Sequence, residues 1–241
     1  SKTHAHHAAT PEVKNVLVLQ GGGALGAYHI GAYQALHELG FEPDWVTGIS
    51  IGALNAAVLA TNKPEDRLRK MVEFWEDIAR PDGAAASYSG AYRAMYNKSV
   101  VAKSMLQGLP NFWTPRVNVM MGMGGVEVQF ANPTETSYYD TSPMLDTLRR
   151  HCNFAWHNQG HGARLSLGAT RVDTGKLEFF DSLNCQIGPA HALASGSLPP
   201  GFPATEINGK YYWDGGCVTN TPLQAVLDDT HETADLRVFM V

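Results

Sequence analysis

Ser50 sits in Gly48-Ile49-Ser50-Ile51-Gly52, between the short buried-strand pattern Asp44-Trp45-Val46-Thr47 and the alanine-rich helical pattern 51–60. A serine on such a strand-to-helix elbow presents its hydroxyl at the top of a sheet, above the positive end of a helix. Glycines on either side, Gly48 and Gly52, let the backbone turn sharply and let neighbouring elements approach. Serine is a weak nucleophile until a base removes its proton. Asp214, in Trp213-Asp214-Gly215-Gly216, can serve if its carboxylate lies within hydrogen-bond reach of that hydroxyl. The same Asp-Gly pair also forms an Asx turn with no chemical role. A third feature is Gly21-Gly22-Gly23-Ala24-Leu25-Gly26, between the apolar run 16–20 and a helical pattern over 24–39. Backbone N–H groups there form an anion site, for a tetrahedral oxyanion or for a phosphate. The string satisfies G-x-G-x-x-G, but the dinucleotide fold wants an acidic residue at the end of the second strand. Here that strand ends in Ser50, and Asp44 lies before it.

Histidine offers another route to an activated serine. The order serine, acid, histidine of an α/β-hydrolase is met by Ser50, Asp214 and His231. His231 falls in Asp228-Asp229-Thr230-His231-Glu232-Thr233, a polar stretch that reads as exposed loop. His29, His37 and His191 read as packed or surface residues on helices. No cluster of His, Asp and Glu has metal-ligand spacing, so neither a metal nor a cofactor is expected.

The elements that must position these groups alternate. Residues 16–20, 24–39, 45–49 and 51–60 read strand, helix, strand, helix, the pattern of a mostly parallel sheet covered by helices. Gly40 closes the first helix as a C′ residue. Residues 64–79 form an amphipathic pattern with Pro64 at the first helical position and Leu68, Met71, Val72, Trp75 and Ile78 on one face. Ser142-Pro143 opens another helix, with Ser142 as N-cap. Residues 164–172 and 176–180 read as a hairpin, and Asn208-Gly209 marks a tighter one just before Asp214. A short helix over 189–195, a last helix from Thr221-Pro222 to 228 and a strand over 236–241 follow. The stretch 82–132 has no clear period. It suits a lid or cap, with Phe112-Trp113 and Met120-Met121-Gly122-Met123 available to line an apolar pocket.

Composition narrows the partners. The chain has 241 residues, 44% hydrophobic and 17% charged, enough for one globular domain over 13–241. A net charge of −5 without a long basic run argues against nucleic acid, and gives no electrostatic attraction to anionic membranes. Cys152, Cys185 and Cys217 are too sparse for a disulfide framework and read as buried or half-buried thiols, Cys217 close enough to Asp214 to line its site. Residues 1–12, with His4, His6 and His7, read as a frayed tail. No run has signal-peptide character or membrane-spanning length, so a cytoplasmic protein is the expectation. The last strand pattern stops at Val241, which suggests a chain truncated there.

The glycine loop 21–26, the serine elbow 48–52 and Asp214-Gly215-Gly216, in that order, resemble the patatin-like phospholipase family. Ala194-Ser195-Gly196-Ser197-Leu198-Pro199-Pro200-Gly201-Phe202-Pro203 resembles a further block of the same family. The resemblance runs from about Val16 to Leu227; the part between Pro81 and Tyr139 matches no family motif. It implies a three-layer α/β/α fold, a Ser–Asp dyad without histidine, and hydrolysis of lipid acyl esters: phospholipid, lysophospholipid or simple esters. It makes Ser50 the nucleophile and Asp214 the base, with Gly21, Gly22, Gly23 and Ile51 forming the oxyanion hole. Transient contact with a membrane surface would accompany such a substrate. A catalytically silent lipid- or partner-binding relative, or an acyltransferase, would carry the same motifs.

Overall fold

A computed structural model describes residues 12–79, 109, 111–116, 133–134 and 137–241. The expected tail, but for Glu12, and most of the expected lid, Met120 to Met123 included, lie outside these residues.

The sheet grows around β1 (Val13–Leu19) and β2 (Trp45–Ile49). Val16 to Leu19 and all five residues of β2 are buried, as strands covered on both faces must be. The spatial order is β7-β8-β5-β2-β1-β9, with β6 also paired to β5. Here β5 is Arg164–Arg171, β6 Leu177–Asp181, β7 Thr205–Ile207, β8 Lys210–Asp214 and β9 Asp235–Met240. Strands β9, β1, β2 and β5 run parallel; β6 and β8 are antiparallel to β5, and β7 to β8. Thr114–Pro115 (β3) and Tyr139–Asp140 (β4) form a separate two-stranded ladder.

Period-2 alternation splits the apolar side chains between two faces. On one, Leu17, Leu19, Val46, Leu165 and Leu167 join the main core. Its helical cover comes from α1 (Tyr28–Glu38), α2 (Ile51–Ala60), α3 (Pro64–Ile78) and α4 (Ser142–His151), with α5 (Phe154–His157) and α6 (Pro189–Ser195). On the other face Val16, Val18 and Trp45 meet Val226 of α7 (Leu223–Leu227), a thinner third layer among the described residues. Helix α2 is buried along its whole length, because it runs between sheet and outer helices.

Several local expectations shift. The first helix opens as a 3-10 turn, Gly23–Ala27, before α1. Gly22 and Gly23 both have positive φ there, which an α-helical start does not accommodate. Its C-terminus closes as read: Phe41 N–H reaches the Leu36 carbonyl (2.8 Å) and Gly40 N–H that of His37 (3.0 Å), a Schellman closure with Gly40 at φ 77°. In α3, Val72 faces solvent; Arg67 and Phe74 take buried positions that the apolar stripe did not include. Arg67 is admitted because Glu42 accepts from its guanidinium at 2.7 Å. The cap of α4 is Thr141 rather than Ser142. The Asp140 carboxylate accepts from both the N–H (3.0 Å) and the hydroxyl (2.9 Å) of Ser142. At the tight hairpin Asn208 and Gly209 both have positive φ, as a type I′ turn requires. Of the cysteines only Cys152 is buried; Cys185 and Cys217 are exposed.

Candidate active site

Register explains how residues 164 positions apart come together. Ile49 pairs with Gly168 and Asp214 with Ala169 of β5, both on the edge opposite β6, which pairs with Gly168 and Ala169 from the other side. The C-terminal ends of β2 and β8 therefore meet end to end along β5, with Ser50 just past one and Asp214 closing the other. Gly215 sits at this junction, where a Cβ would collide with the Gly168 carbonyl and crowd Ile49. The Ser50 hydroxyl donates to Asp214 Oδ2 at 2.6 Å.

The elbow is tight. Ser50 adopts φ 58° and ψ −129°, a region that non-glycine residues enter at a cost of about 1–3 kcal/mol. A Cβ on Gly48 would collide with the Gly52 carbonyl, and one on Gly52 with the carbonyl of Leu19, so both glycines are set by close approach. The Ser50 N–H donates to Ser195 Oγ (3.0 Å), and Ser195 in turn donates to the Gly168 carbonyl. Asp214 is 1% exposed. Its second oxygen accepts from Gly216 N–H (2.7 Å), its own N–H donates to the Ser197 carbonyl (2.9 Å), and its carbonyl accepts from Thr170 Oγ1 (2.9 Å). Burial holds its carboxyl above the usual 3.8, against the opposing pull of the Ser50 and Gly216 hydrogen bonds.

The glycine loop reaches this pair from β1. Gly21 is locked in place: its N–H donates to the Asn220 carbonyl (3.0 Å), and its carbonyl accepts from Asn220 Nδ2 (3.0 Å). That bond occupies the Gly21 N–H and takes it out of the expected anion-binding set. The N–H groups of Gly22, Gly23 and Ile51 have no hydrogen-bond acceptor among the described residues. Gly23, Ser50, Ile51 and Asp214 all line one cavity of about 360 Å³. Its remaining walls are apolar, among them Leu54, Trp75, Ile78, Phe112, Trp113 and Phe202. Phe112 stacks on Phe202 (5.8 Å between centroids) and meets Trp113 edge-on at 4.8 Å. Thus Phe112-Trp113, from the stretch read as a lid, does line the pocket.

The histidines lie elsewhere. His231 is an exposed loop residue 3.3 Å from Asp229. Asp229 is bound to Arg164, which pairs with Trp45 at the opposite end of β2 from Ser50. The structure therefore does not assemble a Ser50–Asp214–His231 triad. His37 pairs with Glu42, and His191 Nδ1 accepts from Gly188 N–H (2.9 Å) while its ring packs on Phe180. His29 is buried; its Nδ1 meets the Asn55 amide at 2.8 Å. Among the described residues no group of three or more His, Cys, Asp or Glu is placed to hold a metal. Cys217, exposed on the turn after Asp214, has its thiol pushed up first by burial and then by the neighbouring Asp214 charge. Two residues that touch the pair's surroundings were given no role from sequence. Ser195 lay inside a recognised block as one small residue among several. Asn220 lay just before Thr221-Pro222, and only a three-dimensional bond to Gly21 marks it.

Comparison with known proteins gives a consistent result. The family model described as Patatin-like phospholipase matches residues 17–227. Lysophospholipase NTE1 of Cryptococcus neoformans is 25% identical over 231 residues, 88% of this chain and 10% of that protein. Patatin-like phospholipase domain-containing protein 6 of Homo sapiens is 30% identical over 114 residues, 43% of this chain and 8% of that protein. Neuropathy target esterase sws of Drosophila melanogaster is 42% identical over 59 residues, 24% of this chain and 4% of that protein. The chain thus spans a tenth or less of the curated relatives it matches. Among solved structures, VipD from Legionella pneumophila aligns with a TM-score of 0.46 at 18% identity, covering 95% of this chain and 49% of that one.

Proposed function

Because the chain belongs to the patatin-like phospholipase family, we propose that it hydrolyses carboxylic esters of lipids, with Ser50 as nucleophile and Asp214 as its general base. The observation that carries this reading is the 2.6 Å hydrogen bond from the Ser50 hydroxyl to a buried carboxylate, on the wall of an apolar cavity. As Ser50 Oγ attacks the ester carbonyl carbon, its proton passes to Asp214 Oδ2. The negative charge that forms on the carbonyl oxygen is received by the N–H groups of Gly22, Gly23 and Ile51. Each such donor typically matters by about 10²–10³ in rate. Collapse breaks the ester C–O bond, and the proton held by Asp214 leaves with the alcohol. Water then attacks the acyl-enzyme with Asp214 again taking a proton; the bond to Ser50 Oγ breaks, that proton passes to Ser50 Oγ, and the fatty acid is released.

The acyl chain takes the cavity between Trp75, Phe112 and Phe202, whose walls carry no charge among the described residues other than Asp214. Exposed Leu25, Leu198 and Val218 stand on the glycine-loop turn, beside the cavity and on the turn after Asp214. They suit transient contact with a lipid surface. No helix among the described residues is long and apolar enough to cross a membrane. Three unpaired cysteines favour the cytoplasm as compartment. We read residues 13–241 as one catalytic unit.

A fluorophosphonate serine probe tests the reading. It should label the parent at Ser50 and leave Ser50→Ala unlabelled, while the parent releases fatty acid from lysophospholipid or phospholipid. Undiminished labelling of Ser50→Ala would overturn the assignment. A folded parent that neither reacts nor turns over any ester would make it a binding relative.

A further inference from the structure

Three consecutive residues hold both members of the catalytic pair. Ser195 Oγ accepts the Ser50 N–H (3.0 Å) and donates to the Gly168 carbonyl, and the Ser197 carbonyl accepts the Asp214 N–H (2.9 Å). Both serines are fully buried. The Ser197 hydroxyl is tied down separately, to the Leu193 carbonyl (2.7 Å) and Thr205 Oγ1 (2.8 Å). Gly168 is the residue of β5 that pairs with Ile49, immediately before the elbow, and its neighbour Ala169 pairs with Asp214. Ser195 therefore links three parts of the site through one hydroxyl: the elbow, the strand beneath it and the segment that anchors the acid.

We propose that Ser195 is a positioning residue for the reaction. Its hydroxyl, clamped between Gly168 and the Ser50 N–H, holds the elbow in its strained conformation and so sets the hydrogen bond between Ser50 and Asp214. Ser50 has φ 58° without being glycine, and such a conformation persists only where the surroundings over-determine it. The Ser50 N–H is the backbone donor at the turn itself. Bound to Ser195, it is kept off the oxyanion side, where Ile51 and the glycine loop have their free N–H groups. The Ser195 hydroxyl is both acceptor and donor here, so removing it leaves a buried N–H and a buried carbonyl unpaired at the point of greatest strain. Ser195 is not among the residues lining the cavity, so its effect falls on the chemical step rather than on substrate binding.

The inference rests on the Ser50–Asp214 reading, and its test separates the two. Ser195→Ala is compared with Ser166→Ala, an equally buried serine on β5, the strand whose Gly168 carbonyl Ser195 bonds. Ser166→Ala also gives up two hydrogen bonds, one accepted from Trp45 Nε1 (2.8 Å) and one donated to Asp181 (2.6 Å), outside the cavity that Ser50 and Asp214 line. For Ser195→Ala, kcat on a soluble ester and the rate constant for fluorophosphonate labelling both fall, by about 10- to 100-fold, with KM within twofold. Ser166→Ala loses melting temperature but keeps both rates within twofold. A Ser195→Ala that keeps the parent's rates overturns the inference and leaves the functional reading intact. So does a loss of rate in both variants in proportion to their melting temperatures. A parent that is not labelled at Ser50 overturns both. Should Ser195→Ala not fold, Ser195→Cys, which fills the space with a weaker donor and acceptor, is held to the same outcomes.

Discussion

At the scale of single residues, the question is whether a carboxylate alone can activate a serine. Asp214 is suited to it by burial, which raises its proton affinity toward the value a base needs. Asp214→Asn should lower kcat by about 10⁴ or more, since loss of the proton acceptor commonly costs that much. His231→Ala should stay within twofold of the parent, because its ring sits in an exposed loop at the far end of the sheet. The check is kcat on one ester for both variants, with melting temperatures measured alongside; a thousand-fold loss in a folded His231→Ala would restore a histidine triad. The raised pKa has a sign in each of two measurements. The base works as carboxylate, so kcat/KM is present above the raised value and lost as pH falls through it. The acidic limb should therefore lie above the ordinary 3.8. The folded state binds this proton more tightly than the unfolded chain, so stability from this group is present at low pH and declines as pH rises through the raised value. Asp214→Asn should consequently melt no lower than the parent near pH 7, even though its activity is gone. Melting well below the parent would show that the carboxylate supports the fold.

At the scale of elements, α2 does more than present Ser50 at its N-terminus. One turn further on, Asn55 is fully buried and fixes the approach of two neighbours. Its oxygen accepts from Trp75 Nε1 (3.0 Å), so its amide nitrogen must face Gly26 and His29. Nδ2 donates to the Gly26 carbonyl (3.0 Å) and to His29 Nδ1 (2.8 Å). The last bond requires His29 Nδ1 to be an acceptor, hence the neutral ring. Burial pulls its pKa from 6.5 down to about 4. With the folded value depressed, this stability is complete above pH 6.5 and is lost as pH falls toward 4, up to roughly 3 kcal/mol. Melting temperature should drop between pH 7 and pH 4.5 in the parent and drop less steeply in His29→Gln, whose amide cannot be protonated there. Parallel curves for the two proteins would remove His29 from the account. Because the same amide anchors the glycine-loop turn and a cavity wall, acid loosening should begin beside the candidate active site.

At the scale of the whole molecule, the site lies at one end of the parallel strands, where α/β sheets commonly hold their ligands, and exposed apolar side chains cluster on the turns around it. Leu25 is 69% exposed and does not line the cavity, which makes it a clean probe of lipid contact. Leu25→Gln should raise the apparent KM for vesicle lipid about tenfold, near the 1.4 kcal/mol expected for part of a leucine's burial, and leave KM for a water-soluble ester within twofold. Equal effects on both substrates would place Leu25 in the site rather than at a surface. The sequence alone determined the alternating α/β order, the elbow at Ser50, the tight hairpin that delivers Asp214 and the two side chains proposed to react. Each is written in local chemistry: an apolar period, a glycine at a forced turn, an Asn-Gly pair. Tertiary structure decided what no window of neighbours contains. It brought the C-terminal ends of β2 and β8 together beside Gly168 and Ala169 of β5, so that Ser50 and Asp214 meet there. It spent the Gly21 N–H on Asn220, leaving Gly22, Gly23 and Ile51 for an anion, and it gave Ser195 the elbow to hold. It sent His231 to the wrong end of the sheet, although its order along the chain fits a triad. Partners brought together by strand register are unrelated in sequence position, and the free energy that selects them, burial together with satisfied hydrogen bonds, exists only once the chain has closed around them.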